Sequence, residues 1–306
     1  MTLSPILFDR LEPNGWLAKV YQNAVCYHSL PDKLPYVGRF APSPSGLLHQ
    51  GSLIAALASY LHARWHGGLW LIRLEDVDRS RCLRAYGDAQ IQTLRELGFR
   101  FPTPVWQSER YPIYQAQFER LMQKGLVYPC SCTRKMIGDG VYQGTCRNGC
   151  AEGLPIRSWR YRVSECVIDW ADENQMRFHE SLNETVGDFV LKRVVEKAHH
   201  EWTYQFAVVV DDAAQGVTHV VRGADLLDST GRQIALQHSL GYPTPVYNHF
   251  PLLVNASGEK LSNSGQAPAL DALNGLAALS HAWVFLGGKP LSAKSTEAFW
   301  RQVLPE

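Results

Sequence analysis

Between Arg39 and Ser52 the chain places a cation, three serines, a histidine and two glycines within one short run. Two prolines and Gly46 fall within Ala41–Gly46, which can continue neither a strand nor a helix. Ser52 then opens an apolar stretch at helical spacing. A helix start offers unpaired N–H groups and a partial positive charge, so such a loop suits a phosphate. Gly51 has no Cβ and lets a flat ring lie against the backbone. His49 can donate to a phosphate oxygen as charge develops in a transition state. On spacing alone, an ordinary tight loop carrying a surface histidine reads equally well.

Glu75, Asp76 and Asp78 follow an apolar run and can grip an amino group, or form a solvated acidic loop. Arg222 closes a valine-rich run, and its guanidinium fork suits a carboxylate through two parallel hydrogen bonds. Seven cysteines are present, four of them between Cys130 and Cys150. Without an export signal, clustered thiols of this kind read as a metal site before disulfides. Tetrahedral zinc suits them, and chemistry alone would choose Cys130, Cys132, Cys146 and Cys150.

These residues need elements to hold them. Tyr36–Phe40 reads as a short strand, Ser52–Trp65 as a helix stopped by Gly67-Gly68, and Leu69–Glu75 as the next strand. A helix is expected over Tyr86–Leu97. Another is expected over Tyr111–Lys124, capped by Ser108, with Pro112 in its first turn. Residues 127–204 change character, with short strand-like runs such as Phe189–Val195, and read as an insertion. Phe206–Val210 and Thr218–Arg222 read as buried strands. Ser229–Leu240 reads as a helix closed by Gly241, Tyr247–Val254 as extended, Gly258–Gly265 as a loop, and Leu270–Leu286 as helical. Residues 1–35 carry no motif and are expected to be the least ordered part. Alternating strands and helices call for a parallel sheet covered on both faces, with ligands beyond the carboxyl ends of its strands. The loops 41–51 and 258–265 should therefore share a site.

The totals bound the rest. A chain of 306 residues with 45% hydrophobic and 19% charged residues has ample core. The net charge of +1 argues against a protein coated in positive charge, though a local basic groove remains compatible with it. No basic start with an apolar run opens the chain, and no run of about 18 apolar residues occurs, so a membrane span is excluded and a cytoplasmic location expected.

The segment Gly38–Gly46 with Leu48, His49 and Gly51 resembles the first signature of class I aminoacyl-tRNA synthetases in its glutamyl form. Ser52 stands where a second histidine would be. Arg73–Asp78, Trp202–Asp212 and His219–Leu227 extend the likeness to residues 36–270. The resemblance implies a Rossmann-type α/β parallel sheet with an inserted zinc-containing subdomain, and since only residues 267–306 follow the lysine loop, no anticodon-binding domain is expected. The expected divisions are a 1–35 extension, a 36–126 first catalytic half, a 127–204 insertion, a 205–266 second half and a short helical segment at 267–306.

It further implies a glutamate site built from Arg39, Phe40, Ala41, Pro42, Ser43, Glu75, Tyr204 and Arg222. Without it, Tyr204 reads as a core aromatic. ATP would meet His49, Gly51, Lys260 and Asn263, with His49 and Lys260 as the catalytic pair and Mg²⁺ accompanying ATP. Asn263 stands where the second signature lysine is expected, and losing a preorganised donor typically costs about 10²–10³ in rate. Slow activation, or compensation by Lys260, is therefore expected. For the metal, the resemblance implies Cys130, Cys132, Tyr142 and Cys146, with Cys150 as rival fourth ligand and the zinc structural.

The shortness of the likeness points to the glutamyl-queuosine tRNA(Asp) synthetases, short paralogues of the catalytic half. They are implied to activate L-glutamate with ATP and join it to the cyclopentene diol of queuosine in the anticodon of tRNA(Asp), which resembles a terminal ribose cis-diol. Single-stranded loops with splayed bases are favoured RNA targets. A monomer acting on tRNA, and neither on DNA nor at a membrane, is expected. A small glutamyl-tRNA synthetase charging the 3′ end and a non-catalytic paralogue binding tRNA or glutamate are the alternatives.

Overall fold

A computed structural model describes residues 3, 5–163, 167–174, 176–196, 199–252, 270 and 274–304. Its elements run α1 Pro5–Phe8, α2 Trp16–Ser29, β1 Val37–Phe40, α3 Gln50–Trp65, β2 Leu69–Leu74, α4 Arg84–Glu96, β3 Val105–Trp106, α5 Tyr111–Gln123 and β4 Val127–Cys130. There follow α6 Arg134–Ile137, β5 Ser158–Tyr161, β6 Val167–Ala171, β7 Arg177–Ser181, α7 Leu182–Thr185, β8 Phe189–Glu196 and β9 His199–Trp202. The chain then forms α8 Tyr204–Ala214, β10 His219–Gly223, α9 Leu227–Leu240, β11 Val246–Phe250, α10 Gly275–Phe285 and α11 Thr296–Val303.

Strand β1 pairs in parallel with β2, β2 with β3, and β10 with β11. The two ladders meet where the Thr218 N–H donates to the Val37 carbonyl at 2.9 Å and the Val37 N–H to Thr218 Oγ1 at 2.9 Å. The order is thus β3-β2-β1-β10-β11. The carboxyl ends of β1, β2 and β10 lead directly into the loop after Phe40, into Glu75 and past Arg222. Between the halves, β4-β5-β8-β9 form an antiparallel sheet and β6–β7 a separate hairpin. The hairpin end reaches back to β11 through a bridge from Asp172 to Tyr247, and the Glu173 N–H donates to the Tyr247 carbonyl at 2.8 Å.

Three expectations fail for physical reasons. Phe206–Val210 is not a strand. It lies within α8, where Phe206 through Asp212 are all buried. A helix covered on every side shows no amphipathic period, and a short apolar run looks the same in either state. The described part of 1–35 is not a loose extension: α2 buries Trp16, Leu17, Ala18, Val20, Tyr21 and Ala24. The Leu17 N–H donates to the Leu286 carbonyl at 3.0 Å and Trp16 Nε1–H to Asn248 Oδ1 at 2.8 Å. Finally, Ser108 does not cap α5. It sits in a short 3₁₀ turn, where its N–H and hydroxyl both donate to Asp76, at 2.8 and 2.6 Å.

Helix α9 ends as expected at Gly241, whose φ of 72° is a conformation L side chains rarely adopt. Helix α11, with Phe299 and Val303 fully buried, lies within the helical segment expected at 267–306 but beyond the Leu270–Leu286 stretch singled out there. Gly258–Gly265, with Lys260 and Asn263, lies outside the described residues.

Candidate active site and metal centre

Arg39 at the end of β1, Arg73 on β2 and Glu75 just beyond it converge on Asp212 of α8, each no more than 7% exposed. Arg73 Nη1 donates to Asp212 Oδ1 at 2.7 Å and to Gln215 Oε1 at 2.8 Å, and Nη2 reaches Glu75 Oε1 at 3.3 Å. Arg39 Nε donates to both oxygens of Asp212, at 3.3 and 3.4 Å. Asp211 accepts from Arg110 Nε, Gln107 Nε2 and the Tyr114 hydroxyl at 2.5, 2.8 and 2.7 Å. Three guanidiniums thus face three carboxylates, the balance a buried cluster requires.

The balance is unequal at single residues. Burial alone would raise Asp212, but Arg39 and Arg73 outweigh it and hold the carboxylate below its ordinary range. At Glu75 burial wins over Arg73 and Arg39 and pushes the carboxyl up to about 7. The Arg39 Nη groups take no partner among the described residues, so this nearly buried arginine keeps a two-pronged donor for an anion.

Tyr204, half-buried at the start of α8, lies within electrostatic reach of Arg222, Glu75 and Arg39. Four of the eight expected glutamate-site residues therefore occupy one neighbourhood. Arg222 departs from expectation, because four of its five N–H groups are already engaged. Nε donates to His249 Nε2 at 3.0 Å, Nη1 to Gln233 Oε1 at 2.8 Å, and Nη2 to Thr230 Oγ1 and the Leu226 carbonyl at 2.7 and 3.3 Å. One N–H and the charge remain for a ligand, not a bidentate fork.

The loop after β1 is held from outside. The Glu75 N–H donates to the Pro42 carbonyl at 2.9 Å, and Gln90 Nε2 to the carbonyls of Ser43 and Gly46 at 3.2 and 2.7 Å. Phe40 faces the core against Trp70 rather than a pocket, while Ser43 is exposed. His49 is the N-cap of α3, its Nδ1 accepting from the Ser52 N–H at 3.3 Å. That bond assigns the imidazole proton to Nε2 when the ring is neutral, making Nε2 a donor. Gly51 lies in the first turn of α3. Of the acidic run, only Glu75 turns inward, since Asp76 holds Ser108 and Asp78 accepts from Ser80 and Arg81. Arg73, Asp211 and Asp212 lie in the motif segments but carry no expected role there. Their signal was charged residues inside otherwise apolar elements.

The cysteine cluster is a second centre. Cys130, Cys132 and Cys146 bring their sulfurs within 4.8 Å of one another. The Tyr142 hydroxyl stands 3.4 Å from Cys130 Sγ and 3.7 Å from Cys132 Sγ, and Cys132 Sγ is 3.6 Å from Cys146 Sγ. Zn–S bonds of about 2.3 Å in a tetrahedron put donors roughly 3.8 Å apart, so these spacings fit an ion. Cys150 Sγ donates to the Pro129 carbonyl at 3.4 Å and also neighbours Cys146, but it falls outside the group of sulfurs within 4.8 Å of one another. Arg160 Nε donates to Cys130 Sγ at 3.3 Å and its guanidinium covers the Tyr142 ring at 4.0 Å, which favours anionic sulfur. Burial pushes the Cys146 thiol up, yet hydrogen bonds from the Ser131 backbone and the Tyr142 hydroxyl prevail and bring it to about 6. A second group, His62, His66 and Glu173, also lies within 4.8 Å. There His62 Nε2 and Glu173 Oε2 are 2.8 Å apart, a hydrogen-bond distance shorter than a metal would leave between its ligands.

Comparison with known proteins places this geometry. The family described as tRNA synthetases class I (E and Q), catalytic domain, matches residues 36–267. The glutamyl-Q tRNA(Asp) synthetase of Cupriavidus metallidurans is 50% identical over 280 residues, 87% of this chain and 88% of that protein. That of Burkholderia cenocepacia is 52% identical over 267 residues, 82% of this chain and 88% of that protein. The chain belongs to the glutamyl-Q tRNA(Asp) synthetase family. Members of this family are ligases of the aminoacyl-tRNA synthetase type. Among solved structures, the glutamate-tRNA synthetase of Elizabethkingia anophelis superposes with a TM-score of 0.66 at 26% identity, covering 75% of this chain. This chain spans 52% of the length of that larger synthetase.

Proposed function

We propose that this chain joins L-glutamate to ATP as glutamyl-adenylate and passes the glutamyl group to the cyclopentene diol of queuosine in the anticodon of tRNA(Asp). The observation that carries the reading is the shared neighbourhood of Arg39, Glu75, Tyr204 and Arg222 beyond the carboxyl ends of β1, β2 and β10. Glu75 can accept from the substrate ammonium, and the Arg39 Nη groups can take a carboxylate. Arg222 adds charge and one N–H. The α-carboxylate attacks the α-phosphorus of ATP, and pyrophosphate leaves. A diol hydroxyl then attacks the activated carbonyl, and AMP leaves. His49 at the α3 start is suited to donate to phosphate oxygens, with Gly51 beside it. Lys260 and Asn263 belong to the same proposal through the sequence alone, and Mg²⁺ would screen the ATP phosphates.

Zinc in this proposal is structural, held by Cys130, Cys132, Tyr142 and Cys146, because every donor is a protein side chain. Bound there, the ion would tie strand β4 to the segment after it. The enzyme would act on tRNA as a cytoplasmic monomer. Among the described residues no helix is long and apolar enough to cross a membrane.

The test is transfer of labelled glutamate, with ATP, to tRNA(Asp) with and without queuosine and to tRNA(Glu). Queuosine-dependent labelling supports the proposal. Labelling of the 3′ end of tRNA(Glu) would replace it with ordinary charging, and no labelling of any RNA would replace it with a binding role.

A further inference from the structure

Arg222 is reached by a chain of buried groups that begins in the inserted hairpin. His249 Nε2 accepts from Arg222 Nε, so it must carry a lone pair and the ring proton must sit on Nδ1. Nδ1–H in turn lies 2.7 Å from Asp172 Oδ2, which also accepts the His249 backbone N–H at 2.9 Å. The other Asp172 oxygen accepts the Asn174 N–H at 2.8 Å. Asp172 is 2% exposed, His249 3% and Arg222 4%. Water therefore cannot substitute freely for any member. Asp172 immediately follows β6, and β11 supplies His249, so the hairpin and the sheet meet at this point.

We propose that Asp172 and His249 are positioning residues for the amino-acid pocket: Asp172 fixes the tautomer of His249, and His249 fixes the guanidinium of Arg222. The inference rests on the reading of Arg222 as a glutamate-binding residue. The Nε bond to His249 shares in fixing the guanidinium plane with the Nη bonds to Gln233, Thr230 and Leu226, and it is the one whose acceptor turns into a donor if the ring proton shifts. If the proton moved to Nε2, it would confront Arg222 Nε–H across 3.0 Å, donor against donor. The arginine would then turn, and its remaining N–H would leave the pocket. The inserted hairpin thereby gains a part in choosing the amino acid, though no described hairpin side chain need touch it.

The experiment compares four variants in glutamate transfer, each with its thermal midpoint. Asp172→Asn and His249→Leu are expected to raise KM for glutamate about 10- to 100-fold, the scale of one charge-assisted hydrogen bond, with KM for ATP unchanged. His249→Gln, whose Oε1 can accept from Arg222 Nε, should stay within about threefold of the parent. Arg222→Lys should raise KM for glutamate whatever the role of Asp172. If Arg222→Lys raises it and the Asp172→Asn and His249→Leu proteins do not, the positioning role is wrong and the pocket reading stands. If His249→Gln fails alongside His249→Leu with an equally lowered thermal midpoint, the pair is merely structural. If Arg222→Lys changes nothing, the pocket reading falls and the inference with it.

Discussion

Asp212 is the residue on which most of the pocket depends. Its carboxylate pairs with both Arg39 and Arg73, and removing it takes from Arg39 its carboxylate partner among the described residues and leaves Arg73 to Glu75 and Asp211. Asp212→Asn should destabilise the fold by about 3–5 kcal/mol in urea denaturation, the scale of a broken buried ion pair. Glu75 carries the opposite signature. Its folded pKa near 7 lies above the ordinary 4.5, so between those values the folded state holds a proton that the unfolded state has released. Stability contributed by Glu75 is therefore greatest below about 4.5 and falls as pH rises toward 7. The unliganded Glu75→Gln protein should lack that slope, a difference of roughly 3 kcal/mol at most between the two ends of the window. A parent and variant with parallel stability–pH curves would remove this account of Glu75. That Arg39, Glu75 and Tyr204 share one neighbourhood was anticipated from the motif segments they sit in, for Tyr204 through the resemblance alone. The groups around Arg222 were not, because its partners Gln233 and His249, and the Asp172 behind His249, come from separate stretches and nothing local marks them as one cluster.

At the scale of elements, strands bounded by glycine, proline or a charge were readable, and β1, β2 and β10 fall within a residue or two of their expected bounds. Readability failed where burial erased the period, as in α8, and where a helix was short of motifs, as in α2. Helix α2 yields a direct test. Leu17 is fully buried beside the Leu286 turn, so Leu17→Ala should cost about 2–5 kcal/mol. A change under half a kcal/mol would return residues 1–35 to the status of a loose extension. The segment from β4 to Cys146 makes a second prediction. Purified protein should carry one zinc, retained in Cys150→Ala and lost in Cys132→Ser. Chelation should lower the thermal midpoint, because metal and fold are linked. Metal analysis showing zinc lost only with Cys150 would overturn the choice of Tyr142.

For the molecule as a whole, the sheet is divided between residues 37–106 and 219–250, with the antiparallel sheet and its hairpin in between. The change of character at residues 127–204 suggested an interruption, although of the two valine-rich runs read as strands after it only Thr218–Arg222 forms one. That change did not convey how firmly the interruption is tied back, through Asp172 and Glu173 to β11 and through Glu173 to His62 of α3. The divided sheet has a consequence during synthesis. Strand β1 emerges from the ribosome early, but its neighbour β10 follows only after the whole insertion. At ordinary elongation rates, the nascent chain carries an unpaired strand edge for on the order of ten seconds. Bare edges recruit other strands, so polypeptides released before residue 219 should be captured by chaperones or aggregate, whereas those released after β11 should not.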